Sequence, residues 1–238
     1  MNIIVTGASS GIGLQTTKEL AKTGEHHIVV ISRNREKLAL LKTEVEQLTE
    51  SRISIIAFDL GKGDFSDLFI AIDNHLKIKE GNNIDILINN AGYLVNKPFV
   101  DLNMNEWKNT FEVNLFGAVK LIKALFPYFN RASAAHIVNI ASMGGVQGTL
   151  KFSGLSAYSA SKAAINVLTE SLAIEFEQEN IKVNAISPGA VQTHMLEKAF
   201  PEFKAPVTAQ QMGNYVANFA LTGHKLMNGR IIQVSMSG

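Results

Sequence analysis

The stretch Ile3-Ile4-Val5-Thr6-Gly7-Ala8-Ser9-Ser10-Gly11-Ile12-Gly13 decides the fold. Ile3-Ile4-Val5 is a short β-rich run. After the glycines a helical pattern continues to Lys22 and stops at Gly24. Strand, glycine turn and helix are the setting that a dinucleotide-binding fingerprint requires. The spacing is G-x-x-x-G-x-G rather than G-x-G-x-x-G, but the physics is the same. Glycines let the backbone approach a pyrophosphate, and the helix start offers unpaired N–H groups and the positive end of its dipole. Ser9 and Ser10 add hydroxyl donors. Gly7, Ser9, Ser10, Gly11, Ile12 and Gly13 are therefore candidate cofactor contacts. The alternative is an ordinary βα turn; the strand and helix on either side favour the cofactor reading.

Moving outward, His27-Ile28-Val29-Val30-Ile31 predicts a second strand, followed by Ser32-Arg33-Asn34-Arg35. An NAD enzyme is expected to carry Asp or Glu about 20 residues past the glycine turn, to hold the ribose 2′-hydroxyl. That offset from Gly13 lands on Arg33. A cation beside a serine hydroxyl suits a 2′-phosphate better, which favours NADP over NAD.

Strand and helix then alternate to the end of the chain. Glu36 to Glu50 reads as a helix with Leu38, Leu41, Val45 and Leu48 on one stripe. Ile53–Phe58 reads as a third strand running into Asp59-Leu60. Asp59 can accept from an adenine amino group or cap the next loop. Phe65–Lys79 reads as a helix. Ile84–Ile88 is a fourth strand, followed by Asn89-Asn90-Ala91-Gly92 on the edge where open α/β sheets bind ligands. Asn105 to Asn130 reads as one long helical region with Asn114 inside it, a mildly unfavourable place for an Asn. By itself Asn114 would be a surface polar residue. His136–Ala141 is a fifth strand, Ile181–Ile186 a sixth, and Ser187–Thr193 turns the chain across the sheet edge. Residues 194–206 read as a short lid. A last helix covers Ala209–Leu221, before a strand at Arg230–Val234. The expectation is one domain over 1–238: an α/β, Rossmann-like, doubly wound parallel sheet of about seven strands, helices on both faces.

The fifth strand leads to Ser142, and Tyr158-Ser159-Ala160-Ser161-Lys162 follows. If these residues open a helix, Tyr158 and Lys162 share a face one turn apart. A free Tyr titrates near pH ~10, and a fixed cation nearby lowers that value. The pair is then a candidate acid/base, with Ser142 offering a hydroxyl to a substrate oxygen. Alone, Tyr-x-x-x-Lys is common by chance; its place in this chain gives it weight.

Composition narrows the alternatives. The chain has 238 residues, is 46% hydrophobic and 18% charged, and carries a net charge of +1. That is ample material for a core and no global field for nucleic acid or anionic membrane. It has no cysteine, which excludes disulfides, thiolate zinc sites and cysteine nucleophiles. His26, His27, His75, His136, His194 and His224 show no metal-ligand spacing and read as surface or capping residues. No apolar run approaches the ~20 residues that span a bilayer. A strand beginning at Ile3 leaves no room for a signal peptide, so a cytoplasmic protein is expected.

Taken together, residues 3–193 resemble the single-domain short-chain dehydrogenase/reductases. The glycine turn of Gly7, Gly11 and Gly13 looks like the family's fingerprint, and Asn89-Asn90-Ala91-Gly92 like its second motif. Asn114, Ser142, Tyr158 and Lys162 match its catalytic four. Pro188-Gly189 and Thr193 match the turn that holds the nicotinamide. The resemblance implies that Tyr158 passes a proton to or from a carbonyl oxygen as hydride moves to or from the nicotinamide. It implies that Lys162 binds the nicotinamide ribose and lowers the Tyr158 pKa, that Ser142 holds the substrate oxygen, and that Asn114 holds a water linking Lys162 to solvent. Asp59 and Leu60 would edge the adenine, Asn90 with Ala91 and Gly92 the inner ribose, and Val191 and Thr193 the carboxamide. Arg33 after Ser32 agrees with the family's NADP-using members.

The chain also departs from that pattern. Ser142 and Tyr158 are 16 positions apart, longer than is common in the family. The lid after Thr193 is short, and the chain ends Ser235-Met236-Ser237-Gly238 rather than in an Asp-Gly-Gly-like tail. The expected activity is NADPH-dependent reduction of a small or medium apolar carbonyl compound, or oxidation of the alcohol, in a homo-oligomer (dimer or tetramer). The alternatives are 3-oxoacyl thioester reduction and a non-catalytic NADP-sensing protein.

Overall fold

The computed structural model describes residues 1–236. Seven strands form one parallel sheet: β1 (Asn2–Thr6), β2 (His27–Ser32), β3 (Arg52–Ala57), β4 (Ile86–Asn89), β5 (Ala135–Ile140), β6 (Ile181–Pro188) and, near the end, β9 (Ile231–Val234). Their order is β3-β2-β1-β4-β5-β6-β9. Two short strands, β7 (Val191–Gln192) and β8 (Val207–Thr208), pair with each other outside it. The helices are α1 (Gly11–Lys22), α2 (Arg35–Leu48), α3 (Phe65–Leu76), α4 (Met104–Phe111), α5 (Gly117–Leu125), α6 (Ser156–Glu175), α7 (His194–Ala199) and α8 (Ala209–Thr222).

The sheet is apolar on both faces because helices cover both. Side chains alternate across the pleat. Ile3 and Val5 of β1 join Leu20, Leu38, Leu41, Met212 and Val216 under α1, α2 and α8. Ile4, between them, joins Leu68, Ile72, Leu121, Leu125 and Phe129 under α3 and α5. β1 pairs with both β2 and β4, Ile3 lying beside Ile28 and Ile86. The chain winds one way from β1 and the other way from β4, so the crevice past their carboxyl ends is the switch point where such sheets bind ligands. Thr6-Gly7 and Asn89-Asn90 meet there.

Four expectations change. Leu48, placed on the buried stripe of α2, is 76% exposed because α2 ends at that residue, beyond the sheet. The helix expected over Phe65–Lys79 ends at Leu76: Lys77 is left-handed and the chain restarts as a 3-10 turn. The helical region expected over Asn105–Asn130 runs from Met104 to Tyr128, but a π-turn over Glu112–Phe116 within it buries Asn114, read as a surface residue and only 3% exposed. His136, read as a surface residue, is fully buried in β5. Its Nδ1 bonds the Ala220 carbonyl at 2.9 Å, and its Nε2 lies 3.0 Å from the Asn184 amide. Of the atypical tail, Ser237 and Gly238 lie outside the described residues.

Candidate active site

The glycine turn is held from below by side chains that sequence reading did not single out. The Thr6 hydroxyl accepts the backbone N–H of Asn90 and of Ala91, each at 3.0 Å. Asn90 donates its amide to the Thr6 and Gly7 carbonyls at 3.0 and 3.2 Å. Asn90, expected beside the ribose, thus spends its amide stitching the ends of β1 and β4 together. Gly7 is left-handed, with φ +68°. A Cβ on Gly13 would lie 2.3 Å from the Asn90 amide nitrogen and 2.6 Å from the Gly7 oxygen. Only a bare backbone fits the cradle, as a pyrophosphate site requires. α1 then begins with no side-chain cap from Ser10, which leaves its first N–H groups for a ligand.

Along the rim, the Ser9 and Ser32 hydroxyls are 2.7 Å apart, which places Ser32 beside the glycine turn. Arg33 is exposed at the end of β2 and forms no ion pair among the described residues. Asn34 caps α2 by accepting from Lys37 N–H at 2.9 Å, which fixes the turn that carries Arg33. The Asp59 carboxylate accepts the Gly61 N–H at 2.9 Å through Oδ1. Leu60 is buried in the core.

On the other side, Ala141 N–H bonds the Ile186 carbonyl at 2.7 Å and carries β5 on to Ser142. Ser142 starts a 3-10 turn and accepts the Gly144 N–H at 3.2 Å. Gly145 follows; a Cβ there would lie 2.4 Å from the Lys162 carbonyl carbon. That contact lets α6 lie directly on the end of β5. The helix therefore brings Tyr158 and Lys162 to Ser142, as the one-turn spacing predicts. The Ser142 hydroxyl lies near enough to the Tyr158 phenol to favour its ionised form. Lys162 is 3% exposed and donates to the Ile140 carbonyl at 2.7 Å. Its ammonium lies 5.8 Å from the Tyr158 ring centroid.

Asn114 reaches this cluster from the π-turn. Its carbonyl oxygen accepts the Tyr93 N–H at 2.7 Å, and its amide donates to the Tyr93 carbonyl and to Ser161 Oγ, each at 2.9 Å. Ser161 donates to the Tyr158 carbonyl at 2.7 Å. The Asn114 side chain is thus a strut between the loop after β4 and α6. A Cβ on Gly92 would lie 3.7 Å from Asn114 Oδ1, 3.8 Å from Lys162 Nζ and 3.7 Å from Met195 Cε, so these groups border one cleft.

Pro188 ends β6 and Gly189 packs against Ser235. Val191 is buried. Thr193 caps α7 by accepting the Leu196 N–H at 3.3 Å, and its methyl carbon faces Gly11, 3.3 Å from where a Cβ would stand. The turn after β6 and the glycine turn after β1 therefore form opposite lips of one crevice. The expected lid over 194–206 is α7 and a following loop, tied back by the β7–β8 pair.

Electrostatics refine the expected acid/base. Burial raises the Tyr158 phenol above its ordinary value, and the Ser142 hydrogen bond acts against that rise. Burial likewise pulls Lys162 down to about 8. Among the described residues no cluster of His, Asp or Glu could hold a metal ion, and no helix is long and apolar enough to cross a membrane.

The comparisons agree with this geometry. The sequence profile of the short chain dehydrogenases matches residues 1–203. An uncharacterized oxidoreductase of Staphylococcus epidermidis is 33% identical over 220 residues, covering 92% of this chain and 90% of that protein. One from Staphylococcus aureus is 30% identical over 233 residues, covering 97% and 95%. The L-sorbose reductase of Gluconobacter frateurii, solved with NADPH and L-sorbose, superposes with a TM-score of 0.84 over 98% of this chain and 94% of that one; at 23% identity this likeness carries the fold. The profile spans every strand from β1 to β6, including both lips of the crevice, and on that ground the chain belongs to the short-chain dehydrogenase family of oxidoreductases.

Proposed function

We propose that the protein is an NADP-dependent oxidoreductase that interconverts a carbonyl group and a secondary alcohol, with Tyr158 as the acid/base. The observation that carries this reading is the Ser142–Tyr158 hydroxyl pair, set one helical turn from a buried Lys162 beside a backbone cradle. The turn suits a dinucleotide: the bare Gly13 lets α1 start close against Gly7 and Asn90, and α1 leaves N–H groups uncapped. Gly7, Ser9, Ser10, Gly11, Ile12 and Gly13 would hold the pyrophosphate side, and Ser32 and Arg33 a 2′-phosphate. The backbone of Asp59 and Leu60 would edge the adenine. Asn90, Ala91 and Gly92, with Tyr158 and Lys162, would border the inner ribose. Pro188, Gly189, Val191 and Thr193 would border the nicotinamide. NADPH, when bound, supplies the hydride.

The chain's own residues manage the proton. Ser142 orients the phenol and offers its hydroxyl to the substrate oxygen. Tyr158 releases a proton to that oxygen as negative charge develops there. A phenol held protonated by burial is a donor that stays loaded at neutral pH. The Lys162 ammonium, anchored on the Ile140 carbonyl, keeps positive charge beside the phenolate that remains. The setting this reading expects is a cytoplasmic, single-domain homo-oligomer acting on a small-molecule substrate.

The test is cofactor oxidation by the purified protein. NADPH and NADH are run in parallel against ketones, aldehydes, diketones and 3-oxoacyl thioesters, with Tyr158→Phe as control. Turnover with NADPH that disappears in the variant supports the reading. Tight NADPH binding with no turnover of any carbonyl overturns it.

A further inference from the structure

Three segments far apart in sequence border the mouth of this site: the loop after β4, the long loop between Ser142 and Tyr158, and the stretch around α7. One side chain joins all three. Asn96 donates its amide to the Ala199 carbonyl at 2.7 Å. Ala199 is the last residue of α7, so its carbonyl is one that the helix leaves without an internal partner. The other end of the same amide rests on Gly154: a Cβ there would lie 2.0 Å from Asn96 Oδ1. Beside it, Lys97 N–H bonds the Gly154 carbonyl at 2.9 Å. Above these ties the Phe152 and Phe200 rings meet, their centroids 6.2 Å apart and their planes at 57°.

Charged side chains flanking these segments are held by other partners, and one apolar side chain points into the cleft. Met195, on the first turn of α7, turns its methyl toward the cleft that Gly92 and Lys162 share. Lys151, next to Phe152, folds its ammonium back onto its own loop, donating to the Val146 carbonyl at 2.5 Å and the Thr149 carbonyl at 3.1 Å. Glu197 is held by Gln192 at 2.8 Å. The loop is further braced by Thr149, whose hydroxyl donates to the Met143 carbonyl at 2.5 Å. The residues added between Ser142 and Tyr158 thus build a fixed wall that carries an aromatic ring.

We propose that Asn96 latches an aromatic jaw, Phe152 against Phe200, at the mouth of the site, and that this jaw selects carbonyl compounds bearing an uncharged apolar group. The selectivity rests on the oxidoreductase reading; the latch does not. A ring or branched alkyl group finds partners there, whereas the hydroxyls of a polyol would be left unpaired against ring carbon. Asn96 is a positioning residue: it touches neither the Ser142–Tyr158 pair nor the glycine cradle.

The test compares wild type with Asn96→Ala at saturating NADPH, using a phenyl-substituted ketone and a polyhydroxylated ketose. Wild type is expected to favour the aryl ketone by at least about tenfold in kcat/KM. Asn96→Ala is expected to raise KM for the aryl ketone about tenfold, with kcat within about twofold, and to narrow the preference. A second readout needs no turnover: trypsin cleavage at the exposed Lys198 and Lys204, expected to accelerate in Asn96→Ala at unchanged melting temperature. A ketose preference in wild type overturns the selectivity. Unchanged KM and unchanged cleavage in Asn96→Ala overturn the latch. A wild type that turns over no carbonyl compound overturns the oxidoreductase reading and the selectivity with it, while the cleavage rates still decide the latch.

Discussion

The two lips of the crevice are built from different materials. The β1–α1 lip is backbone: left-handed glycines, uncapped N–H groups and carbonyls stitched by Thr6 and Asn90. The opposite side, from Ser142 through α7, is made of side chains from three separate segments: a hydroxyl pair, a buried ammonium, an asparagine latch and two rings. Backbone sites tolerate little variation because a single Cβ destroys them. Side-chain sites can be rebuilt by changing what reaches across. The first kind suits a cofactor shared by many enzymes; the second is where one enzyme can differ from another.

Tyr158→Phe separates the two sides most sharply. On the proposed mechanism it removes the proton donor and leaves the cradle untouched, so turnover should fall about 10²–10⁴-fold with NADPH affinity within about twofold. Steady-state kinetics paired with a fluorescence titration of NADPH decides it; a loss of binding that matches the loss of turnover would merge the two sides into one.

The next largest effect belongs to neither side. His136 is buried at the opposite end of β5, and burial holds its pKa at about 4, against an ordinary value of 6.5. The fold therefore keeps the neutral form while the unfolded chain takes up a proton below pH 6.5. Stability is complete above that pH and falls as the pH drops toward 4, by about 2 kcal/mol at pH 5 for this one group. His27, held low by burial to about 4, acts in the same direction. Urea midpoints at pH 7.5 and pH 5 should show the loss, and His136→Gln should flatten it.

Gly13→Ala tests the backbone lip. With the Asn90 amide at 2.3 Å from the new Cβ, the stitch between β1 and β4 has to shift. Cofactor affinity should fall more than about tenfold, while the Ser142–Tyr158 pair keeps its geometry. Equal NADPH affinity in the variant would show that the cradle is wider than its contacts say. Arg33→Ala is the smallest and most selective change: NADPH affinity should drop about tenfold, NADH affinity should stay level, and the loss should shrink at high salt. An equal effect on both cofactors would remove Arg33 from the 2′-phosphate.

How much of this was legible in the chain follows the same division. The strands announced themselves because a sheet buried on both faces needs unbroken apolar runs, as in Ile28-Val29-Val30-Ile31. Gly7, Gly11 and Gly13 were legible because no other residue fits those positions, and Tyr158 with Lys162 because helical spacing alone puts them on one face. The struts were not. Asn114 reads as an ill-placed surface residue until the π-turn buries it against Tyr93 and Ser161. Thr6 carried a faint signal, a polar group at the end of an apolar strand, but nothing local names its partners. His136 is of the same kind: its partners, Ala220 and Asn184, lie on α8 and β6.

The sequence by itself thus determined the alternation of strand and helix, the glycine cradle and the pairing of a phenol with an ammonium. Each depends on backbone conformation or on contacts within one helical turn, and both are local properties of the chain. Only the tertiary structure decided that α6 rests on Gly145, that burial raises the Tyr158 phenol, and that Asn96 joins Ala199 to Gly154. Those depend on desolvation and on side chains meeting across as many as 103 residues, which no local pattern encodes.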